Sequence, residues 1–335
     1  MRFEFYHAGL DSMPKLSVDG TVGNSIHFSH WDGNETPPEV KADSSTEIAL
    51  NLVGSPNYKK LTQGIDLVTN NHFDTDGALS VWTVLNGERS LELRDLLISA
   101  AEAGDFSEFS SEDGVRASIV IQGGDQASPN NETGSPLAAQ IAGKDIDDDA
   151  EAYRLVLPEV EHVLRNVGKY ESLWRTGWEA IAKALESFEN GKSTVEEYPD
   201  CKLSLVILAP EIFSPSGFNP TRHAAPYTAI SHYARGEIFL IATSFHDGWT
   251  YRIDYPYYSW AETVVRPRVK RRNLIGLLSQ LNHSERNRSG HWKLDNNEMT
   301  SAAKFLDASN TLAPSKLRPD ELVGIFRSEL SAKVA

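Results

Sequence analysis

A single cysteine, Cys201, excludes an internal disulfide framework and a thiolate zinc site. Positive charge is also scarce. Lys and Arg number 32 against 47 Asp and Glu, for a formal net charge of −15. That balance argues against general nucleic-acid binding through the overall field. Apolar runs are short, and none approaches the roughly 20 residues needed to cross a bilayer. The opening Met1-Arg2-Phe3-Glu4-Phe5-Tyr6-His7 lacks the apolar core of a signal peptide. A cytoplasmic protein without a membrane partner is the expectation. Familiar catalytic signatures are missing too: no Walker loop, no dinucleotide-binding glycine fingerprint after a strand, no His-Glu-x-x-His and no Gly-x-Ser-x-Gly. With 40% hydrophobic residues over 335 positions, the chain can still build full cores for one large domain or two.

Against these absences one stretch stands out, Asn71-His72-Phe73-Asp74-Thr75-Asp76-Gly77. It follows an apolar run from Ile65 to Val68 that reads as a buried strand. It precedes a helix-period pattern through Ala78, Leu79, Val81, Trp82 and Leu85. Residues two apart in an extended segment point the same way, so His72, Asp74 and Asp76 can converge on one spot. One imidazole and two carboxylates suit a divalent cation, Mn²⁺, Mg²⁺, Fe²⁺ or Zn²⁺. The plainer reading is a turn in which Asp76 caps the next helix. It accounts for one acid but for neither the second acid nor the histidine.

An upstream segment repeats this order. Ser25-Ile26-His27-Phe28 reads as a strand, His30-Trp31-Asp32-Gly33-Asn34 as a polar loop, and Ile48 to Val53 as a helix entered through Asp43-Ser44-Ser45-Thr46-Glu47. Successive strand–loop–helix units form parallel sheets, which bind ligands at the carboxyl ends of their strands. If the two strands neighbour each other, the loops meet at one edge. His30 then joins the cluster, and Asp32 and Asn34 become candidate substrate contacts. A third helix follows Leu93, Leu96, Leu97, Ala100 and Ala101, with Gly104 as its C-terminal cap and Asp105 just beyond. A carboxylate gains nothing from that end of a helix dipole. Asp105 is therefore either a cation ligand or an ordinary turn acid.

From 122 to 149 the pattern dissolves into polar and small residues, either a lid or a disordered insertion. One helix is expected through Tyr153, Val156, Leu157, Val160, Val163 and Leu164, and another through Trp174, Trp178, Ile181, Leu185 and Phe188. After Asn190-Gly191-Lys192 strands dominate: Thr194 to Glu197, Leu203 to Leu208, and a hairpin of Ile238 to Thr243 with Trp249 to Ile253. A helix is expected between Ala224 and Ala234, and others over Leu274 to Leu281 and from Pro319 onward. The expected fold is α/β. Residues 1–192 form a parallel-sheet metal-binding domain, and residues 193–335 a smaller mixed α+β domain that caps the site.

His72-Phe73-Asp74-Thr75-Asp76-Gly77 resembles the first motif of the DHH phosphoesterase superfamily, His-x-Asp-x-Asp on a strand-to-helix turn. The resemblance implies a DHH-like first domain and, most often, Mn²⁺. His72 and Asp74 would hold one ion, Asp76 would hold another, and Asp105 would stand for a later ligating aspartate. No Asp-His-His occurs, although that motif names the superfamily. Gly290-His291 is similar to the glycine-rich histidine motif of its C-terminal domain, which makes His291 a candidate substrate contact. The chain also resembles an actinobacterial family of unknown function, through Ser29 to Pro37, Asn71 to Gly77 and Gly104 to Phe106.

The expected function is metal-dependent hydrolysis of a small phosphoester or related anion by a metal-activated water. The candidate catalytic residues are His30, Asp76 and His223, with His30 or His223 as general acid. Arg222, beside His223, would grip an anion, and Arg266 and Arg268 of the basic run 266–272 would receive a phosphate. The alternatives are a solvated basic stretch and a satisfied surface histidine. A metal enzyme acting on a non-phosphate small molecule, or a binding protein with a relic metal site, are the competing functions. A homodimer is compatible with the sequence.

Overall fold

The computed structural model describes residues 1–123, 148–213, 217–295 and 301–330. The positions between 123 and 148, where the sequence suggests a lid or insertion, lie outside them. Two compact units account for the described residues. The first takes residues 1–123, 148–178 and 260–268; the second takes 179–213, 217–259, 269–295 and 301–330. The division falls ahead of residue 192, inside a helix, and the segment 260–268 returns to the first unit. No pattern of composition marks that return.

The first unit contains β1 (Arg2–Phe3), β2 (Leu16–Val18), β3 (Ile26–Phe28), α1 (Ser45–Val53), α2 (Tyr58–Leu61), β4 (Leu67–Thr69), α3 (Thr75–Asn86), α4 (Arg94–Phe106), α5 (Glu112–Gln122), α6 (Asp149–Val156), α7 (Val160–Arg165) and the start of α8 (Glu171–Glu189). Its sheet has the order β1-β4-β2-β3, and every pair is parallel. The strands of the two strand–loop–helix units are thus not neighbours, because β2 lies between β3 and β4. Parallel pairing still brings all three carboxyl ends to one edge. Strand β2 escapes the sequence because it is three residues long and buried throughout, leaving no alternation to read. Between Tyr153 and Leu164 the chain makes two helices rather than one. Pro158 lacks an N–H and disfavours helical backbone at Leu157, so α6 and α7 are separate.

The second unit continues α8 and adds β5 (Thr194–Tyr198), β6 (Leu203–Leu208), α9 (Tyr227–Tyr233), β7 (Ile238–Phe245), β8 (Gly248–Asp254), α10 (Ile275–Ser284), β9 (Gly290–Leu294), β10 (Ser301–Asp307) and α11 (Pro319–Leu330). Its mixed sheet runs β5-β6-β7-β8-β10-β9, with only β6 and β7 parallel. Leu203, Leu205, Leu240 and Ile253 face a core shared with Leu278 of α10 and Phe326 of α11. Val206, Leu208, Phe239 and Ile241 face the opposite way, toward Ile230 of α9 and Phe188 of α8. Both faces are covered, which is why the central strands read as continuous apolar runs. Helix α9 starts later than its sequence pattern because Pro226 stands at its N-cap. Among the described residues, no helix is long and apolar enough to cross a membrane.

Candidate metal centre

The carboxyl-terminal edge of the first sheet carries six converging side chains. Asp19 follows β2 directly, His30 lies two residues past β3, and His72 and Asp74 lie in the loop after β4. Asp76 comes from the first turn of α3 and Asp105 from the last turn of α4. Two groups of ligand atoms result, each within 4.8 Å: Asp19, His30, Asp76 and Asp105, and Asp19, His72 and Asp74. Asp19 belongs to both. Its Oδ1 lies 3.4 Å from His30 Nε2, and its Oδ2 lies 3.1 Å from His72 Nε2. His30 Nε2 also stands 3.2 Å from Asp105 Oδ2 and 3.8 Å from Asp76 Oδ2, and His72 Nε2 stands 3.3 Å from Asp74 Oδ2.

Local structure aims each of these groups. Asp19 adopts the left-handed region with φ 54°, unusual for a residue other than glycine. Asp74, rather than Asp76, caps α3: its Oδ1 accepts the Gly77 N–H at 2.7 Å. Asp76 reaches instead to the start of α1, where its two oxygens accept the N–H groups of Ser45 and Thr46, each at 2.7 Å. Unpaired N–H groups and the positive end of the helix dipole hold that carboxylate. Gly77 lets the loop close down. A Cβ there would stand 2.6 Å from Asn70 Nδ2 and 2.7 Å from the Tyr153 hydroxyl, which itself donates to the His72 carbonyl at 3.0 Å.

Asp105 corrects a sequence expectation. Helix α4 does not stop at Gly104 but runs to Phe106, and Ser107, with φ 48°, is its left-handed cap. Gly104 serves close helix packing instead, since a Cβ there would meet the Thr75 Cβ at 2.6 Å. Asp105 is thereby buried within the helix and faces the cluster.

These residues fit a divalent cation on three observations. Both oxygens of Asp19 and the Nε2 atoms of His30 and His72 are buried without a hydrogen-bond partner, an arrangement that costs free energy unless another group completes it. Each imidazole has its other nitrogen engaged. His30 Nδ1 contacts the Asp43 carbonyl at 2.7 Å, and His72 Nδ1 contacts the Asn71 side-chain oxygen at 3.1 Å. A carbonyl only accepts, so Nδ1 carries the proton in His30, and in the neutral ring Nε2 presents its lone pair inward.

The third observation is electrostatic. Burial and the Asp19 charge push the Asp76 carboxyl up to about 7, and burial with the Asp74 and Asp76 charges drives Asp105 well above the carboxylate range. Burial pulls His72 down, but the Asp74 charge and the Asp19 and Asp74 contacts prevail and raise it to about 12. For His30, contacts to Asp105 and Asp19 likewise outweigh burial and raise it. Burial pushes Asp19 up, yet the two imidazoles outweigh it and hold Asp19 below the usual carboxylate range. The crowded carboxylates are thus balanced by protons on themselves and on the two imidazoles, which a divalent cation could displace.

Other residues singled out from sequence are placed differently. Asp32 is exposed in the first loop, outside both ligand groups. The Asn34 side chain ties that loop together, donating to the Trp31 carbonyl at 2.8 Å and to Glu262 at 2.9 Å. Arg266 does not wait for a phosphate: its guanidinium is engaged by Asp43, Glu102 and Glu108. Arg268 is 77% exposed and stands 3.9 Å from Glu262. Arg222, His223 and His291 belong to the second unit. There His223 Nδ1 accepts the Asn219 N–H at 2.9 Å, and its ring stacks on Phe213. His291 is an exposed residue of β9. The residue that sequence reasoning missed is Asp19. Its one local signal is Leu16-Ser17-Val18 running into Asp19-Gly20, an apolar-flanked strand closing on a turn.

Fold and site together define an α/β protein with a parallel sheet, a second mixed sheet and a buried carboxylate–imidazole cluster. A model of a family of unknown function (DUF6687) matches residues 2–323, and the chain belongs to that family. No curated protein matches. Among solved structures the chain is similar to a pGpG-specific phosphodiesterase, PggH from Vibrio cholerae, at 10% identity and a TM-score of 0.39. That alignment covers 95% of this chain and 83% of the other. A likeness at that score is too distant to argue from.

Proposed function

We propose that this protein is a divalent-metal-dependent hydrolase of a small phosphoester or related anion, distantly akin to the DHH phosphoesterases. The observation that carries the reading is Asp19, a fully buried carboxylate with both oxygens unpartnered and a different imidazole facing each. That arrangement suits a carboxylate shared between two cation positions. Asp19, His30, Asp76 and Asp105 would hold one ion, and Asp19, His72 and Asp74 the other. Bound there, a divalent cation would supply Lewis acidity, offsetting charge on a phosphoryl oxygen and lowering the pKa of a water.

The chain's own residues divide the remaining work. The His30 side chain is buried, whereas those of His72 and Asp74 are 29% and 13% exposed. The His72 side is therefore where a substrate would enter. With Nδ1 committed to Asp43 and Nε2 turned to the acids, His30 is better read as a ligand than as a general acid. The α1 N–H donors hold Asp76 as an acceptor-only ligand. Mn²⁺ is the first candidate by the motif's resemblance, and the oxygen-rich donor set also admits Mg²⁺.

A second reading keeps the cation and moves the chemistry to a non-phosphate molecule. It is favoured by the missing Asp-His-His motif and by the engagement of Arg266 with three carboxylates. One experiment separates the readings. Purified protein is assayed for bound Mn, Fe, Zn and Mg, then for hydrolysis of an aryl phosphodiester, phosphomonoesters, dinucleotides and polyphosphates. Metal near two per chain, with phosphoester cleavage lost in Asp19→Asn, supports the proposal. Bound metal without cleavage of any of these phosphoesters favours the second reading. Protein that takes up no metal refutes both.

A further inference from the structure

Arg266 was a candidate phosphate receiver, and its contacts point to another use. Its Nη1 donates to Asp43 Oδ2 at 2.8 Å, Nη2 to Glu102 Oε1 at 2.6 Å, and Nε and Nη2 to the two oxygens of Glu108 at 3.0 and 2.6 Å. The guanidinium also lies 4.9 Å from the ring centre of Phe106. Glu102, Phe106 and Glu108 surround Asp105 at the end of α4, where the helix dipole favours a cation. Asp43 in turn supplies the carbonyl that fixes His30 Nδ1. One side chain thus clasps the two segments that carry Asp105 and His30.

The rest of the segment 260–268 reinforces that grip. The Asp43 carboxylate accepts the N–H groups of Val265 and Arg266, at 2.8 and 2.9 Å, and also that of Val264. The Glu262 N–H donates to the His30 carbonyl at 2.7 Å, and the Trp260 ring meets the His30 ring edge-on at 5.0 Å. Glu262 also takes the Asn34 amide and Lys41. His30 is therefore held by two direct contacts from a nine-residue strap remote in sequence, and by a third from Asp43, which the strap's half-buried Arg266 grips.

We propose that Arg266 is a positioning residue for the deeper cation position, setting His30 and Asp105 against Asp19 and Asp76 through Asp43 and the end of α4. The proposal rests on the two-cation reading above. Groups that orient ligands typically change metal affinity by about 10–100-fold when removed. Only the His30–Asp105 position is wired to Arg266. The His72–Asp74 position is held by Asn71, Tyr153 and Gly77, and meets the strap only indirectly, through the shared Asp19 and the Trp31 ring.

The test is a Co²⁺ titration of the full chain followed by visible absorption, on wild type, Arg266→Gln, Arg266→Lys and, as control, Arg89→Gln, which breaks an exposed ion pair with Glu161. Wild type and the control should take up two equivalents. Arg266→Gln should weaken one equivalent by about 10–100-fold and alter its absorption bands, with a clearly smaller effect on the other. Arg266→Lys, a point donor that cannot span three carboxylates, should fall between. Should Arg266→Gln not fold, Asp43→Asn cuts the same clasp from its other side and is read the same way. Two unchanged equivalents would overturn the positioning role and leave the two-cation reading intact. So would equal loss of both equivalents in step with a lower melting temperature, the mark of a purely structural role. Wild type that binds no Co²⁺ would remove the two-cation reading and this proposal together.

Discussion

Asp19 Oδ2 stands 3.1 Å from His72 Nε2, although the two residues leave different strands, β2 and β4. With Asp19 facing His30 through its other oxygen, this contact joins two half-sites into one centre. The first prediction follows from that sharing. Asp19→Asn should weaken both cation equivalents, each by more than about 100-fold, since a ligand matters more than the groups that orient it. Asp74→Asn should weaken one. Isothermal titration with Mn²⁺ distinguishes them, and equal effects of the two variants would contradict a shared carboxylate.

The two half-sites differ in access. Asp19, His30, Asp76 and Asp105 are at most 5% exposed, whereas the His72 side chain is 29% exposed. Closed four-ligand sites retain metal, and three-ligand sites keep open positions. During dialysis against a chelator, about one equivalent should leave quickly and the second slowly. A single-phase loss of both would show that the positions are equivalent.

Cation affinity should rise with pH between about 6 and 8. Asp76 is pushed up to about 7 and His72 to about 12, while Asp105 lies well above the carboxylate range. Each of these shifts upward, so each group holds a proton at higher pH than usual. A cation must displace those protons, and binding releases them. Lower pH therefore favours the proton and higher pH the cation. Calorimetry in buffers of different ionisation enthalpy reads the release directly, and an affinity flat across this range would exclude it.

The loop bearing His72 is packed too tightly for a larger residue at position 77. Gly77→Ala places a methyl within 2.7 Å of Asn70 and the Tyr153 hydroxyl and should cost about 1–3 kcal/mol of stability. Tyr153→Phe loses the hydroxyl that donates to the His72 carbonyl and accepts from Asn70 Nδ2. Its cost should be about 1–3 kcal/mol, with the His72–Asp74 equivalent weakened and the deeper one unaffected. Urea unfolding measures the first effect and metal titration the second. Wild-type stability in Gly77→Ala would mean the loop yields easily.

The spacing of His72, Asp74 and Asp76 is legible because a turn of five residues orients its side chains locally. Strands β3 and β4 and most helices are legible for a similar reason, since each prints its own pattern, whereas β1 is too short to print one. Asp19 is not, because β2 is three buried residues with no alternation. Asp105 is half-legible. Its presence near a helix end is visible, but Ser107 rather than Gly104 ends that helix, so the direction of the carboxylate was hidden. The basic run 266–272 reads as an anion receiver only while Asp43, Glu102 and Glu108 are out of view.

By itself the sequence determined the α/β class, the strand-to-helix turn with its His-x-Asp-x-Asp spacing, and the exclusion of an internal disulfide and a thiolate zinc site. These depend on local periodicity and residue type. Tertiary structure alone decided that β2 separates β3 from β4, that Asp19 stands between His30 and His72, and that Arg266 meets Asp43 across 223 positions of chain. Charge pairing and burial depend on which distant segments the fold brings within about 4 Å, and no local pattern encodes that distance.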